Sequence, residues 1–223
     1  MITTKEIQTI LSRLSNKAEP YLSEAQFQFE LAWELQKIHD DCKILLEYTA
    51  CSNKTSGKRF EYDIIAVFDE GYQAIELKYK TTQATINGVD LIQQAGQPGV
   101  KYDYLWDIHR IEILKNRSKH SNDYYYYLAQ KDCLGGFAIL LTNDASYWCQ
   151  AKPHELAFNF SLHDTAIKTG HLDWNICVKP QKNWMKSRCS FSLDNSYTMQ
   201  WNIFNSYCKN GKKKQFKYLL TEI

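Results

Sequence analysis

Two carboxylates and a lysine lie close together on two neighbouring predicted strands. Asp63 belongs to one largely apolar run, and Glu76 and Lys78 stand two residues apart near the end of the next. Carboxylates are ligands for hard divalent cations, and a nearby ammonium group can orient a water molecule or neutralise developing negative charge. This combination of residue types is suited to the hydrolysis of a phosphodiester.

The spacing of these residues predicts that their side chains meet. The two segments that hold them are rich in β-branched, aromatic and aliphatic residues, and Gly71 allows a tight hairpin between them. With a turn made of Glu70 and Gly71, Asp63 faces Lys78 and shares a sheet face with Glu76. The two carboxylates are then diagonal neighbours about 7–8 Å apart. An odd-length loop without a bulge would place them on opposite faces.

Length and composition favour one α/β domain. The chain has 223 residues, 44% of them hydrophobic, which is enough for one substantial core. Apolar runs such as 64–68 are too short to span a membrane, and the N-terminal residues lack the apolar stretch of a signal peptide. The seven cysteines form no CxxC pair, which favours reduced thiols in a cytoplasmic protein.

Positive charge is concentrated in the last part of the chain. Residues 174–223 carry nine basic and two acidic side chains, interleaved with aromatic residues that include Trp174, Trp184, Phe191, Tyr197 and Trp201. This composition suits a nucleic acid, although a solvated basic surface over core aromatics gives the same pattern. The residues best placed to contact phosphates are on the loop that enters the Asp63 strand: Lys54, Lys58 and Arg59. A second basic run, 212–214, could be a disordered tail.

The remaining elements follow from periodicity and capping signals. A first helix is predicted to begin at a capping box at Thr3 and to continue to Leu14. Two further helices are predicted from Ser23 to Ile38 and over 101–115. Strands are predicted at 43–50, 61–68, 72–79 and 135–141, with further strands within 190–204 and 215–220. The tyrosine run 124–127 is ambiguous between strand and helix, and 151–175 carries no clear pattern.

The predicted order of elements resembles that of the PD-(D/E)xK nuclease superfamily, which has the restriction-endonuclease-like fold. The order is a helix, three strands with acids on the second and third, a second helix and a further strand. The resemblance covers roughly residues 23–145 and is carried by Glu30, Asp63, Glu76 and Lys78. It implies that Asp63 and Glu76 bind Mg²⁺, with Mn²⁺ as a substitute, that Lys78 assists the attacking water, and that Glu30 supports the site. Tyr62 stands where the family name has proline.

Other charged residues have competing interpretations. Asp63 and Lys78 could form a simple cross-strand ion pair. On the third helix, Asp103, Asp107 and Arg110 could face the site, but their helical spacing favours an exposed salt-bridged face. His109 is expected in the same polar network. A further pair, His163 and His171, fits no zinc spacing and is expected to be at the surface or hydrogen-bonded.

The sequence therefore predicts one α/β domain over residues 1–223. Its mixed central sheet is flanked by helices, with a core at about 23–145 and a β-rich basic extension at about 146–223. The expected activity is Mg²⁺-dependent hydrolysis of DNA, with RNA as a weaker alternative substrate. The competing hypothesis is a catalytically inactive nucleic-acid-binding or protein-interaction module of the same fold. Homodimerisation is compatible with both and is left open.

Overall fold

The protein is described from a computed structural model that covers residues 1–176, 183–209 and 211–223. The first half of the chain forms α1 (Thr4–Leu14), α2 (Glu24–Ile38), β1 (Lys43–Asn53), β2 (Arg59–Val67), β3 (Tyr72–Lys80), β4 (Ala84–Ile86), β5 (Val89–Leu91) and α3 (Gln97–Lys115). The second half forms α4 (Arg117–His120), β6 (Tyr124–Tyr126), β7 (Cys133–Thr142), β8 (Ile167–Leu172), β9 (Phe191–Thr198), β10 (Trp201–Lys209) and β11 (Lys212–Glu222). Two short 3-10 helices span Phe158–Phe160 and Asn183–Met185.

A seven-stranded mixed sheet is the centre of the molecule. Its order is β10-β11-β7-β3-β2-β1-β6, and two short hairpins, β4-β5 and β8-β9, lie outside it. Only the β3-β7 pair is parallel, because α3 crosses between these strands; the other pairs are antiparallel. The predicted α/β class with a mixed sheet and flanking helices is confirmed. The C-terminal strands β10 and β11 join this sheet directly.

Helices cover the two faces of the sheet. Ile75 and Leu77 of β3 pack in one core cluster with the apolar sides of α1 and α2. The alternate residue Ala74 packs in a second cluster with α3 and the β8-β9 hairpin. Because successive strand residues point to opposite faces, Glu76 and Lys78 are directed to the α3 side.

Most predicted elements are confirmed, with small shifts at their ends. Thr3 and Glu6 form the expected capping box, and the Ser23 side chain accepts from the Gln26 backbone N–H. The tyrosine run forms the edge strand β6, and 151–175 contains a 3-10 helix and β8. The basic run 212–214 is not a disordered tail but the start of β11, where Lys212 pairs with Lys209 of β10.

The turn between β2 and β3 differs from the prediction. Val67 pairs with Tyr72, so the loop has four residues, and the amide of Phe68 donates to the carbonyl of Gly71 at 2.8 Å. The predicted register is therefore wrong by two residues. Because the shift is even, it does not exchange the faces of the sheet, and it moves Asp63 from opposite Lys78 to opposite Glu76.

The described cysteines are all free thiols. Cys42, Cys51 and Cys133 are buried free thiols, and Cys149, Cys189 and Cys208 are exposed free thiols. The seventh cysteine, Cys177, lies outside the described residues. Within the described part of the chain, no helix combines the length and the apolar character that crossing a membrane requires.

Candidate active site

The strands β2 and β3 separate at Asp63. Their pairing ends at Ile64 and Ile75, so the β3 backbone beyond Glu76 has lost its partner strand on this side. The Asp63 carboxylate replaces it: its Oδ2 accepts from the Leu77 amide at 2.5 Å. One step further, Oε2 of Glu24 on α2 accepts from the Tyr79 amide at 2.6 Å. Two carboxylates thus accept the hydrogen bonds of the backbone amides that the strand pairing leaves free on β3.

The neighbouring strand β1 is irregular at the same level. Its register joins Leu46 to Ile64 and Tyr48 to Tyr62 but leaves out Glu47 and Asp63. Glu47 has a φ of 49°, in the left-handed region that non-glycine residues rarely occupy. The buried amide of Gln28 connects the two strands, donating to the Asp63 carbonyl at 2.6 Å and to Glu47 Oε1 at 2.8 Å. The separation of the strands at Asp63 is therefore stabilised by specific backbone and side-chain contacts.

Helix α3 supplies the other half of the cluster. Lys78 Nζ lies 2.7 Å from Oδ2 of Asp107, and Arg110 Nη2 lies 2.8 Å from Oδ1 of the same carboxylate. Arg110 also forms an ion pair with Oε1 of Glu76. Glu76 and Asp107 are only 2% and 3% exposed. Three carboxylates and two cations therefore form one nearly closed network between β3 and α3, with Asp63 at its edge.

Arg110 is held rigidly in this network. Its Nη1 donates to the Glu61 carbonyl at 2.8 Å, and its own carbonyl accepts from the Tyr62 hydroxyl at 2.9 Å. The guanidinium also lies 5.1 Å from the centre of the Tyr62 ring. Tyr62 thus fixes α3 against β2.

Burial dominates the pKa values of the two strand acids. It raises the pKa of Asp63 to about 6, although Lys78 and the Leu77 amide act to lower it. Burial likewise raises the pKa of Glu76 well above its ordinary value, and Arg110 opposes this effect. Both shifts disfavour the ionised form, and an additional cation beside these carboxylates would lower both pKa values and favour their ionisation.

The pKa of each cation moves in the direction that keeps it charged. Burial acts to lower the pKa of Lys78, but Asp107, Glu76 and Asp63 outweigh burial, and the pKa is raised. Burial also acts to lower the pKa of Arg110, and Glu76 and Asp107 raise it. Lys78 therefore remains protonated at neutral pH and acts as a hydrogen-bond donor and positive charge, not as a proton acceptor.

Two carboxylate oxygens of the cluster are free to act as cation ligands. Among the described residues, Asp63 Oδ1 and Glu76 Oε2 have no hydrogen-bond partner, which leaves one free oxygen on each carboxylate. No group of three His, Cys, Asp or Glu side chains in that part of the chain is arranged to hold a metal by itself. Mg²⁺ commonly uses one or two carboxylates and takes its other ligands from water and substrate phosphates.

The structure brings Asp63, Glu76 and Lys78 together but places Glu30 elsewhere. The Glu30 carboxylate forms an ion pair with Lys17 of the loop before α2. The acid of α2 that reaches the β3 edge is instead Glu24, six residues earlier. The alternative interpretation, a simple Asp63–Lys78 ion pair, is not what the described residues show, because Lys78 pairs with Asp107.

Helix α3 contributes more to the cluster than its sequence pattern predicts. Asp107 and Arg110 were expected on an exposed face, but both point into the cluster, because α3 covers the sheet exactly where β3 carries its charged residues. Asp103 pairs with Arg188 at 2.8 Å. Among the described residues, His109 contacts neither Asp107 nor Arg110 by a hydrogen bond: its ring lies 4.9 Å from that of Trp106 and 5.3 Å from that of Phe191, and its polar neighbours are the Ser192 backbone and Glu112.

The predicted phosphate-contacting residues are exposed. Lys58 Nζ lies 5.4 Å from the ring of Trp106, the residue before Asp107, so this loop is on the α3 side of the sheet. Lys54 Nζ lies 5.1 Å from the Tyr125 ring and donates to the Ser121 carbonyl. Arg59 begins β2, about 13 Å along the strand from Asp63.

The histidine pair near the C-terminal strands is hydrogen-bonded. His163 Nδ1 lies 3.1 Å from the Ser161 hydroxyl, and His171 Nδ1 lies 3.4 Å from the Ser192 hydroxyl. The aspartate between them, Asp164, accepts from the Trp201 amide at 3.0 Å. The predicted hydrogen-bonded role of the two histidines is confirmed.

Comparisons with known proteins give no relative. No family model matches the chain, and neither the curated proteins nor the solved structures contain a significant match.

Proposed function

We propose that the protein is a Mg²⁺-dependent nuclease that hydrolyses phosphodiester bonds in DNA. The observation that carries the proposal is the gathering of Asp63, Glu76 and Lys78 where β2 and β3 separate, with a free oxygen on each strand acid. An opened sheet edge with carboxylates and a protonated lysine provides both cation ligands and a donor for a phosphate oxygen.

The order of elements supports a restriction-endonuclease-like core. α2 is followed by β1, β2 and β3, then by α3 and β7, which pairs in parallel with β3. The strand acids lie on the second and third strands, as in the PD-(D/E)xK pattern. We propose this fold for the core, with β10 and β11 extending its sheet on the far side of β7.

In this proposal each side chain has a distinct role. Asp63 and Glu76 would hold Mg²⁺, which supplies Lewis-acid stabilisation of negative charge on the phosphodiester. Lys78, kept protonated and aimed by Asp107 and by the Leu77 carbonyl at 3.0 Å, would orient the attacking water and neutralise charge developing on the phosphate. Asp107 positions Lys78 and does not itself contact the substrate.

Lys78→Met tests the chemistry directly. We expect cleavage of plasmid DNA to fall by about a hundredfold or more, because a preorganised charge at the phosphate is lost. Mn²⁺ binding, measured by calorimetry, should be retained or strengthened, since a nearby positive charge is removed. Asp107 keeps its contact with Arg110, so the fold should persist.

Lys80→Met is the matched control. Lys80 is two residues further along β3 and pairs with Glu24 at 3.2 Å, and its loss should leave the cleavage rate near that of the wild type. Ordinary cleavage by Lys78→Met would show that Lys78 serves only the ion-pair network. Cleavage of RNA but not DNA by the wild type would instead identify an RNA-specific enzyme.

The basic loop gives an independent test of the substrate. Replacing Lys58 and Arg59 with Ala should weaken duplex DNA binding uniformly across sequences and reduce the salt slope by about two units. Binding is measured at several salt concentrations with Mg²⁺ present and with cleavage blocked by Glu76→Gln. The same double replacement at Lys213 and Lys214, on the edge hairpin, is the control and should change the slope less. A wild-type slope near zero would contradict nucleic-acid binding.

A second candidate is a non-catalytic nucleic-acid-binding or protein-interaction module of the same fold. Its specific support is the ion pair of Arg110 with Glu76, which occupies one oxygen of a proposed metal ligand and partly neutralises the network. Calorimetry with Mn²⁺ separates the two candidates: a catalytic site binds the ion in the wild type and loses it in Asp63→Ala, whereas the module does not bind it.

A further inference from the structure

A second site lies at the beginning of α3, separate from the acid cluster. A cavity of about 620 Å³ opens between the first turn of this helix, the turn after β7 and the segment 155–157. Its walls include Gln97, Lys101, Glu155 and Trp184. This volume is within the range of small-molecule sites in proteins.

Lys101 is an unusual wall residue. It is only 6% exposed, and the described residues offer its ammonium no hydrogen bond and no carboxylate within ion-pair distance. The ammonium lies 6.0 Å from the centre of the Tyr147 ring. Burial lowers the pKa of Lys101, and a second buried lysine, Lys168, lies close enough to feel its charge. The carboxylates of Glu155 and Asp144 act to raise this pKa but lie beyond ion-pair distance, so an anion in direct contact with the ammonium would stabilise it further.

The helix start provides further donors at the same place. Gly96, the N-cap, has a φ of 100° and no side chain caps the helix. Pro98 follows in the first turn, so the free backbone donors are the amides of Gln97 and Gly99. The N-terminus of a helix of this length attracts anions, above all phosphate. Here the buried Lys101 points to the same ligand independently.

The opposite wall suits a planar polar ring. Trp184 is 36% exposed, and Leu156 and Ala157 add apolar surface beside it. Glu155, whose charge acts to raise the pKa of Lys101, can accept hydrogen bonds from an amino group. The other acid, Asp144, is already occupied: its carboxylate accepts from Gln97 Nε2 at 3.0 Å and from the Ser146 amide at 2.9 Å.

We infer that this cavity binds a single nucleotide unit, with the phosphate at Lys101 and the start of α3 and the base against Trp184. The choice of a nucleotide over another anion rests on the proposed function. Lys101 precedes Asp107 by six residues on the same helix, about 9 Å along its axis, so an unpaired nucleotide of a bound strand could reach the cavity. A free nucleoside monophosphate has the same recognition chemistry.

The test uses the full chain without metal, so that it does not depend on cleavage. Deoxyadenosine monophosphate is titrated by calorimetry into the wild type, Lys101→Met, Trp184→Ala and Asp63→Asn. We expect Lys101→Met to weaken binding by about tenfold or more, because a hydrogen-bonded charge is lost. Trp184→Ala should weaken nucleotide binding but leave binding of inorganic phosphate unchanged. Asp63→Asn and the exposed-lysine control Lys43→Met should bind like the wild type.

The outcomes are distinct from those of the nuclease tests. Nucleotide binding that persists in a protein that fails to cleave DNA would overturn the proposed function and leave this site standing. No binding to the wild type, equal binding by Lys101→Met, or inorganic phosphate binding as tightly as the nucleotide would overturn the site. Should Lys101→Met not fold, nucleotide-induced shifts of the Gly96 and Gly99 amide resonances in the wild type must be seen instead. If a single-stranded oligonucleotide competes with the mononucleotide, the ligand is a nucleotide of a bound strand. If it does not compete, the ligand is a free nucleotide.

Discussion

Asp63→Asn should reduce cleavage by about a hundred- to a thousandfold while leaving the fold intact. The amide oxygen of asparagine can still accept from the Leu77 N–H, so the local backbone contact of the carboxylate is preserved. What is lost is the negative charge of a proposed Mg²⁺ ligand. An intact strand edge with no activity separates the chemical role of Asp63 from its structural one.

The same variant should be more stable than the wild type above about pH 6. Asp63 has a folded-state pKa of about 6 against an ordinary value of 3.8. As the pH rises from 3.8 to 6, the unfolded chain loses this proton and the folded chain keeps it, so the free energy of unfolding falls. Asparagine removes that loss. The gain should be on the order of 2 kcal/mol at pH 8 and vanish below about pH 4.

Urea unfolding at pH 4, 6 and 8 measures this difference, and Mn²⁺ calorimetry is done on the same samples. Asp69→Asn, in the exposed loop between β2 and β3, is the matched control and should change neither stability nor cleavage. An Asp63→Asn variant that cleaves normally would remove Asp63 from the site. An equal stability of variant and wild type at pH 8 would show that Asp63 ionises in the fold without cost.

The strand half of the site could be predicted from sequence because strand geometry is simple. An even loop keeps alternate residues on one face, so Glu76 and Lys78 meet Asp63 even though the predicted register was wrong by two residues. The opening of the sheet at Asp63 could not be predicted. It depends on the left-handed backbone of Glu47 and the buried amide of Gln28, neither of which has a sequence signature.

The site residues on α3 could not be predicted, because the sequence does not show which face of a helix packs against the sheet. Asp107 and Arg110, three residues apart, form the same pattern in a buried network as on an exposed salt-bridged face. A signal was present in the composition of α3, which has buried residues on most of its circumference. On α2 the resemblance implied a role for Glu30, but the acid of this helix that reaches the edge of β3 is Glu24, in the first turn.

Arg110→Met should destabilise the protein by about 3–5 kcal/mol at pH 7, because it leaves Glu76 without its cation in a buried position. Asp107 retains Lys78, so the cost arises mainly at Glu76. Adding Glu76→Gln removes the uncompensated charge, and the double variant should recover about 1–3 kcal/mol relative to the sum of the single changes. Urea unfolding of the four proteins gives this coupling.

Arg13→Met is the control for the loss of an arginine. Arg13 lies 3.7 Å from Glu34 at the surface, and breaking such a pair should cost less than about 1 kcal/mol. A similarly small effect of Arg110→Met would mean that Glu76 is protonated in the fold and that no buried ion pair exists. That result would also weaken the second candidate function, which depends on Arg110 neutralising Glu76.

The Arg110→Met variant finally connects stability with the proposed chemistry. In the wild type Arg110 occupies Oε1 of Glu76, so a bound Mn²⁺ must share this carboxylate with a guanidinium. Without Arg110 both oxygens of Glu76 are available and a repelling charge is gone, so Mn²⁺ should bind more tightly and stabilise the variant more than the wild type. Such a result would identify Arg110 as the group that holds the acid cluster together until a metal replaces it.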